Sequence, residues 1–189
     1  MITKAIRGNE TRKAEVMNSS QDLLDYAQQS FDAPLELTGT SVKPEHIDAN
    51  GHMNVGFYNV IFDQALDRFF TPFDLDWSYV QRTNLSTFVL ETHVCYLQEV
   101  LEGDELRFTF QLLGADAKRI HYFMTMYHAE KGYLAATSEQ ILVHVDLATR
   151  RSAPFLPEHK MLFERMLAGH AKLPKPPQAG KSIGMAKKG

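Results

Sequence analysis

Apolar and polar positions between Leu35 and Leu167 alternate in ways that predict one long helix set among strands. Residues 35–43, LELTGTSVK, alternate closely enough for a strand, which Pro44 ends. A turn-rich stretch follows: Ile47-Asp48-Ala49-Asn50-Gly51-His52-Met53-Asn54. Its Asn-Gly pair favours a tight reversal, because both residues tolerate positive φ. Val55, Tyr58, Ile61, Phe62, Ala65, Leu66 and Phe69 then fall on one stripe at helical spacing, with Asn59, Asp63, Asp67 and Arg68 off it. Asn54 is placed to cap this helix, its side-chain oxygen accepting from a first-turn N–H, and Pro72 stops it.

Four strand-like runs come next. Residues 86–100 are long and rich in β-branched and aromatic types, and Gly103-Asp104 marks a turn. Leu106, Phe108, Phe110 and Leu112 alternate with Arg107, Thr109 and Gln111; residues 119–128 and 133–146 follow, separated by a turn at Gly132. Residues 157–168 predict a short helix with Met161, Leu162, Met166 and Leu167 on its apolar side. Such short connections imply antiparallel hairpins. A curved sheet wrapped round the apolar helix is the simplest way to bury it, which makes the class α+β. Strand 86–100 would then leave an unpaired edge, so a homodimer or homotetramer is expected.

The ends differ from this middle. Residues 1–34 read as an N-terminal extension, polar over 1–20, with a short helix at 21–30 anchored by Leu23, Leu24 and Tyr26. Residues 35–170 form the expected folded domain. Residues 171–189, with prolines at 174, 176 and 177, glycines at 180, 184 and 189 and five lysines, read as a flexible, solvated tail.

A chain of 189 residues with 44% hydrophobic and 23% charged residues has the composition of a single globular domain rather than a disordered one. A net charge of −3 argues against a nucleic-acid partner. No apolar run is long enough to span a membrane, and the first 20 residues lack a signal-peptide core, so the expected setting is cytoplasmic. The single cysteine, Cys95, excludes an intrachain disulfide and a cysteine-based zinc site. The eight histidines are scattered with no H-x-x-x-H pair, and no metal or cofactor is expected.

The segment Asp48-Ala49-Asn50-Gly51-His52-Met53-Asn54, followed by Phe57-Tyr58, resembles the D-x-x-G-H-x-N-x-x-x-Y signature of hotdog-fold acyl-CoA thioesterases of the 4-hydroxybenzoyl-CoA type. The Asp48-x-Asn50-x-His52 spacing is also similar to that of plant acyl-carrier-protein thioesterases. Glu91-Thr92-His93, the stretch from Asp116 to His121, and His144-Val145-Asp146 resemble segments of thioesterases in bacterial carnitine breakdown, which act on betainyl-CoA. The resemblance spans roughly residues 36–168. It implies a hotdog fold, an acyl-CoA substrate and cofactor-free thioester hydrolysis. It makes Asp48 the catalytic carboxylate, gives Asn50 and His52 catalytic or orienting roles, and brings Glu91 to the site from a central strand, often the partner chain's.

The residues carry a physical reading beside this. A helix N-terminus offers unpaired N–H groups and partial positive charge. The N–H groups from Met53 to Gly56, with Asn54 among them, would thus bind a thioester oxyanion. Asp48 would act as a general base on water or attack the carbonyl itself; the residue types leave both open. The bland reading of Asp48 is a turn or capping residue, which the flanking motif outweighs, whereas Asn50 and Gly51 read first as turn formers. Tyr58 reads as core. Glu91 and His93 share a strand face with Val89, Cys95 and Leu97, which predicts a buried pair. Phe57, Trp77, Tyr79 and Phe88 are candidates for holding a cationic acyl group by their ring faces, with Glu91 or Asp63 as the counter-charge. Lys118, Arg119, Arg150 and Arg151 could meet coenzyme A phosphates or simply face solvent, and His121 and His144 could pair or be separately satisfied. The alternatives are a hotdog protein that binds acyl-CoA without catalysis, as sensor or carrier, and a hydratase. The latter needs an acid–histidine arrangement on the helix that this motif does not offer.

Overall fold

The computed structural model describes residues 20–185. In chain order the elements are α1 (Ser20–Ala27), β1 (Leu35–Ser41), α2 (Val55–Phe70), α3 (Trp77–Thr83), β2 (Leu85–Tyr96), β3 (Glu105–Ala115), β4 (Arg119–His128), β5 (Leu134–Asp146), β6 (Arg151–Ser152) and α4 (Pro157–His170). The strands form one antiparallel sheet in the order β1-β3-β4-β5-β2, with the two-residue β6 on the end of β5.

The sheet curls around α2. Tyr58, Ile61, Phe62, Ala65, Leu66 and Phe69 are all buried, as their spacing requires. Phe62 packs edge-on against Phe108 at 5.9 Å, and Phe69 lies tilted against Phe110 at 5.5 Å. The inner row of β3, from Leu106 to Leu112, is thereby sealed against the helix. Val55 departs from the expected stripe: it stands in the first turn and is exposed.

Three local features differ from expectation. Helix α3 is an addition, started by Asp76, whose Oδ1 accepts from the N–H groups of Ser78 and Tyr79. β2 ends at Tyr96, so residues 97–100 are outside the strand, and Val100 turns into the core. Between Val89 and Glu91 the pairing with β5 slips by one residue at Leu90. A bulge of this kind inverts every side chain beyond it. Thr92, Val94 and Tyr96 consequently share a face with inward Gln140, Ser138 and Ala136, while Glu91, His93 and Cys95 lie on the outer face beside Ile141, Glu139 and Thr137. The expected buried set of Val89, Glu91, His93, Cys95 and Leu97 is split, and Glu91 is exposed.

The N-terminal helix joins the same core. Leu23, Ala27 and Phe31 are buried against α4, on which Leu162, Phe163 and Met166 point inward; Met161 is exposed instead. His170 closes the junction: its Nδ1 accepts the Leu112 N–H at 2.9 Å, just past the end of the β1–β3 ladder, and its Nε2 lies 3.2 Å from Ala33 O. Residues 171–185 contain no helix or strand.

Candidate active site

The loop from Ile47 to Asn54 is fixed by its own backbone. Ile47 and Met53 form a bridge, Asp48 N–H donates to His52 O at 3.1 Å, and Gly51 N–H donates to Asp48 O at 3.0 Å. Gly51 sits at the tip with φ of +81°. Two longer-range bonds anchor the exit: Met53 N–H to Val100 O and Asn54 N–H to His46 O, both at 2.9 Å. His46 is buried. Its Nδ1 accepts from Lys43 N–H, and its ring lies 4.7 Å from that of Phe57. His46 thus ties the loop's entrance, its exit and the first turn of α2 together, a role that no sequence motif announced.

Within this frame Asp48 is half-buried. Its Oδ1 accepts the Asn50 N–H at 2.8 Å, and among the described residues Oδ2 has no hydrogen-bond partner. The fixed oxygen orients the carboxylate and leaves the other unengaged within the described chain. Asn50 itself is exposed, and its backbone rather than its side chain holds Asp48. His52 is half-buried with Nδ1 3.2 Å from Met53 O; a donor there leaves Nε2 as an acceptor.

The helix N-terminus leaves fewer N–H groups free than the sequence suggests. Asn54 is the N-cap, as expected, with Oδ1 accepting from Gly56 N–H at 2.9 Å. Phe57 N–H donates to Asn54 O, and Met53 and Asn54 N–H are spent on Val100 and His46. The broad Met53-to-Gly56 donor set expected from the sequence is therefore reduced. Among the described residues, Val55 N–H is the one in this stretch with no acceptor in the chain. Tyr96, reaching from β2, places its hydroxyl 3.5 Å from Val55 O and its ring 5.1 Å from Tyr58.

The other candidates lie elsewhere in the chain. Glu91, on the outer face of the sheet, is on the side opposite α2 and does not meet the Asp48 loop in one chain. Trp77 is 76% exposed at the start of α3. Phe88 stands on the β2 edge under the Arg150 guanidinium, 5.3 Å from its ring centre. Tyr79 is buried, its hydroxyl 2.8 Å from His144 Nε2. No ring contact joins any two of Phe57, Trp77, Tyr79 and Phe88 among the described residues. Of the basic candidates, Arg119 is paired with Asp116 at 2.6 Å and Lys118 Nζ donates to Ser152 Oγ. His121 and His144 face opposite sides of the sheet, and His121 pairs with Glu139 at 2.7 Å. Among the described residues no group of three or more His, Cys, Asp or Glu is arranged to hold a metal, and no helix is long and apolar enough to cross a membrane.

A curled antiparallel sheet around one helix, with an oriented carboxylate in the loop at that helix's N-terminus, is the architecture of a hotdog thioester hydrolase. Residues 42–163 match the thioesterase-like superfamily, and the chain belongs to that family. It is 39% identical over 146 residues to a Pseudomonas aeruginosa protein named betainyl-CoA thioesterase, covering 77% of this chain and 92% of that one. It is 37% identical over 157 residues to a Rhizobium meliloti protein named L-carnitine dehydrogenase/betainyl-CoA thioesterase; this alignment covers 82% of the chain but spans only 32% of that longer relative. A Staphylococcus aureus protein solved in complex with CoA superposes with a TM-score of 0.75 at 30% identity, over 82% of this chain and 96% of that one.

Proposed function

We propose that the chain hydrolyses a short acyl-CoA thioester, with betainyl-CoA the leading substrate, to the free acid and coenzyme A. The observation that carries this reading is Asp48: a half-buried carboxylate with one oxygen tied to Asn50 N–H and the other open, in a loop that leads directly into α2. In this reading the thioester oxygen is directed at Val55 N–H and its carbonyl carbon at Asp48. Acting as general base, Asp48 takes a proton from water as its oxygen adds to the carbonyl carbon. The tetrahedral intermediate then collapses, the C–S bond breaks and the thiolate leaves. Acting as nucleophile, Asp48 would instead add to the carbonyl carbon and expel the coenzyme A thiolate to form a mixed anhydride, which water then opens to the free acid and the regenerated carboxylate. His52, whose backbone O accepts from Asp48 N–H, is the neighbour we assign to orient the reacting groups. Neither route needs a cofactor.

The betainyl assignment rests on the names of the two relatives. A trimethylammonium group has no hydrogen-bond donor and is held by aromatic faces and carboxylates. Trp77 and Phe88 are exposed and Phe57 half-exposed, so an aromatic site would be assembled at an interface between two copies, with Glu91 supplied from the outer face. The cytoplasm, where coenzyme A thioesters are at hand, is the proposed setting.

The test is release of coenzyme A thiol, followed by a coupled chromogenic assay over a panel of acyl-CoA substrates. Betainyl-CoA is expected to turn over faster than 3,3-dimethylbutyryl-CoA, its uncharged isostere. Asp48→Asn should lower kcat by at least about 10²-fold with little change in melting temperature. Equal turnover of the neutral isostere removes the cationic pocket and leaves the hydrolase; near-normal kcat in the variant removes Asp48 from the chemistry; binding without turnover of any substrate favours a carrier or sensor.

A further inference from the structure

Beyond α4 the chain crosses the outer face of the sheet, the side away from α2. Gln111 Nε2, on β3, lies 3.5 Å from His170 O and 3.4 Å from Pro174 O. Pro174, Pro176 and Pro177 then lie over a hollow of about 330 Å³ whose floor includes Thr109, Phe123 and Thr125. Ala179 is buried. At Gly180 the backbone turns with φ of +74° and its N–H donates to Glu139 Oε2 at 2.7 Å. The other oxygen of Glu139 is taken by His121 Nε2, also at 2.7 Å. Past this contact, residues 180–183 border a cavity of about 550 Å³ that is floored by Glu91, His93, His121 and Glu139.

We propose that residues 171–183 are an intramolecular strap. The outer face of the sheet is a docking surface, its occupant is the chain's own C-terminal segment, and Glu139 is the catch. Three observations support it. Phe123 points outward from β4, yet is only 2% exposed, and Gln111 beside it is also buried. An uncovered sheet face with an aromatic at its centre is the kind of surface that attracts other chains. The strap forms no strand pairing with the sheet, so it is held by isolated contacts, and a segment held in this way opens before the core does. Its prolines restrict the released conformations and so reduce the ordering cost of docking. On this proposal residues 171–183 of the flexible, solvated tail expected from the sequence are latched, residues 186–189 lie outside the described residues, and release of the strap uncovers both the sheet face and the cavity of Glu91 and His93. The family match ends at residue 163, before the strap begins.

Hydrogen exchange on the full chain tests this. Amides between Lys175 and Ile183 should exchange more slowly than in the same peptide free in solution. Glu139→Ala should accelerate them by about tenfold or more, the scale of losing one charge-assisted bond. Gly180→Pro removes the donated N–H and cannot adopt the positive φ. It lies outside every strand, so it should release the strap while β3, β4 and β5 stay protected. Free-peptide exchange rates in the wild-type segment would overturn the proposal, as would unchanged rates in Gly180→Pro.

Discussion

Val55 N–H offers a test that disturbs almost nothing else. Proline is favoured at the first position of a helix, because its missing N–H is one that the helix does not use and its fixed φ suits the turn. The residue before a proline must be extended, and Asn54 already is, with φ of −62° and ψ of 142°. Val55→Pro should therefore fold normally with an unchanged or slightly higher melting temperature. If Val55 N–H holds the oxyanion, kcat should fall by about 10²–10³-fold, the usual cost of one such donor. Unchanged turnover would move the oxyanion to another donor, the nearest being Gly56 once the Asn54 side chain swings aside. The sequence made the Asp48 loop, the Asn54 cap and the helix end legible, since all three are local. Which N–H groups remain available was not legible: the competing acceptors, His46 O and Val100 O, arrive from before the loop and from beyond β2.

Periodicity revealed the elements that bury a continuous stripe. The expected strand at 119–128 coincides with β4, and α2 and β3 lie within a few residues of their expected bounds. Helix α3 has seven residues, of which only Tyr79 is fully buried, so it offers no stripe and announces itself solely through Asp76. The bulge at Leu90 was invisible for a different reason: a one-residue slip is a property of two strands together. Helix packing yields two predictions. A Cβ added at Gly169 in α4 would stand 2.6 Å from Phe31 O. Alanine is worth about 1 kcal/mol over glycine inside a helix, but here the obstacle is backbone, and forced overpacking typically costs about 1–3 kcal/mol. Gly169→Ala should thus lower the melting temperature by loosening α1 and its following loop from α4; a higher value would mean that this segment yields freely. The second concerns His144, His159 and His170, all buried. Burial holds each below the ordinary histidine range, against the raising effect of backbone carbonyl partners. The unfolded chain therefore binds protons that the folded chain does not, and their contribution is complete above about pH 6.5 and lost as pH falls below it. The urea midpoint should drop between pH 7.5 and pH 5, most of the loss lying below pH 6.5. A flat profile would mean that these imidazoles accept protons in place.

At the scale of the molecule, the sheet is closed on one side and open on the other. β1 ends one side, and its Thr38 and Thr40 accept hydrogen bonds from Arg68 of α2. β2 ends the other side, with Phe88, Val89, Leu90, Glu91 and Thr92 exposed in succession. An unprotected edge with three large apolar residues in a row is an aggregation hazard for a monomer. It carries neither a proline nor a lysine to discourage pairing. The simplest closed solution is a two-fold axis that sets β2 against its copy and continues the sheet through both protomers. That arrangement would also bring Phe88 and the neighbouring Glu91 to a shared boundary. Sedimentation at micromolar concentration should give a particle of at least twice 21.5 kDa. Leu90→Lys puts a charge on the bulge, where the side chain is 59% exposed and makes little contribution to the protomer's own core. It should shift the equilibrium towards monomer without lowering the monomer's melting temperature, and betainyl-CoA hydrolysis should fall in step with the dimer fraction. A wild-type monomer at that concentration would contradict edge pairing, and a fully active Leu90→Lys monomer would show that one chain completes its site alone.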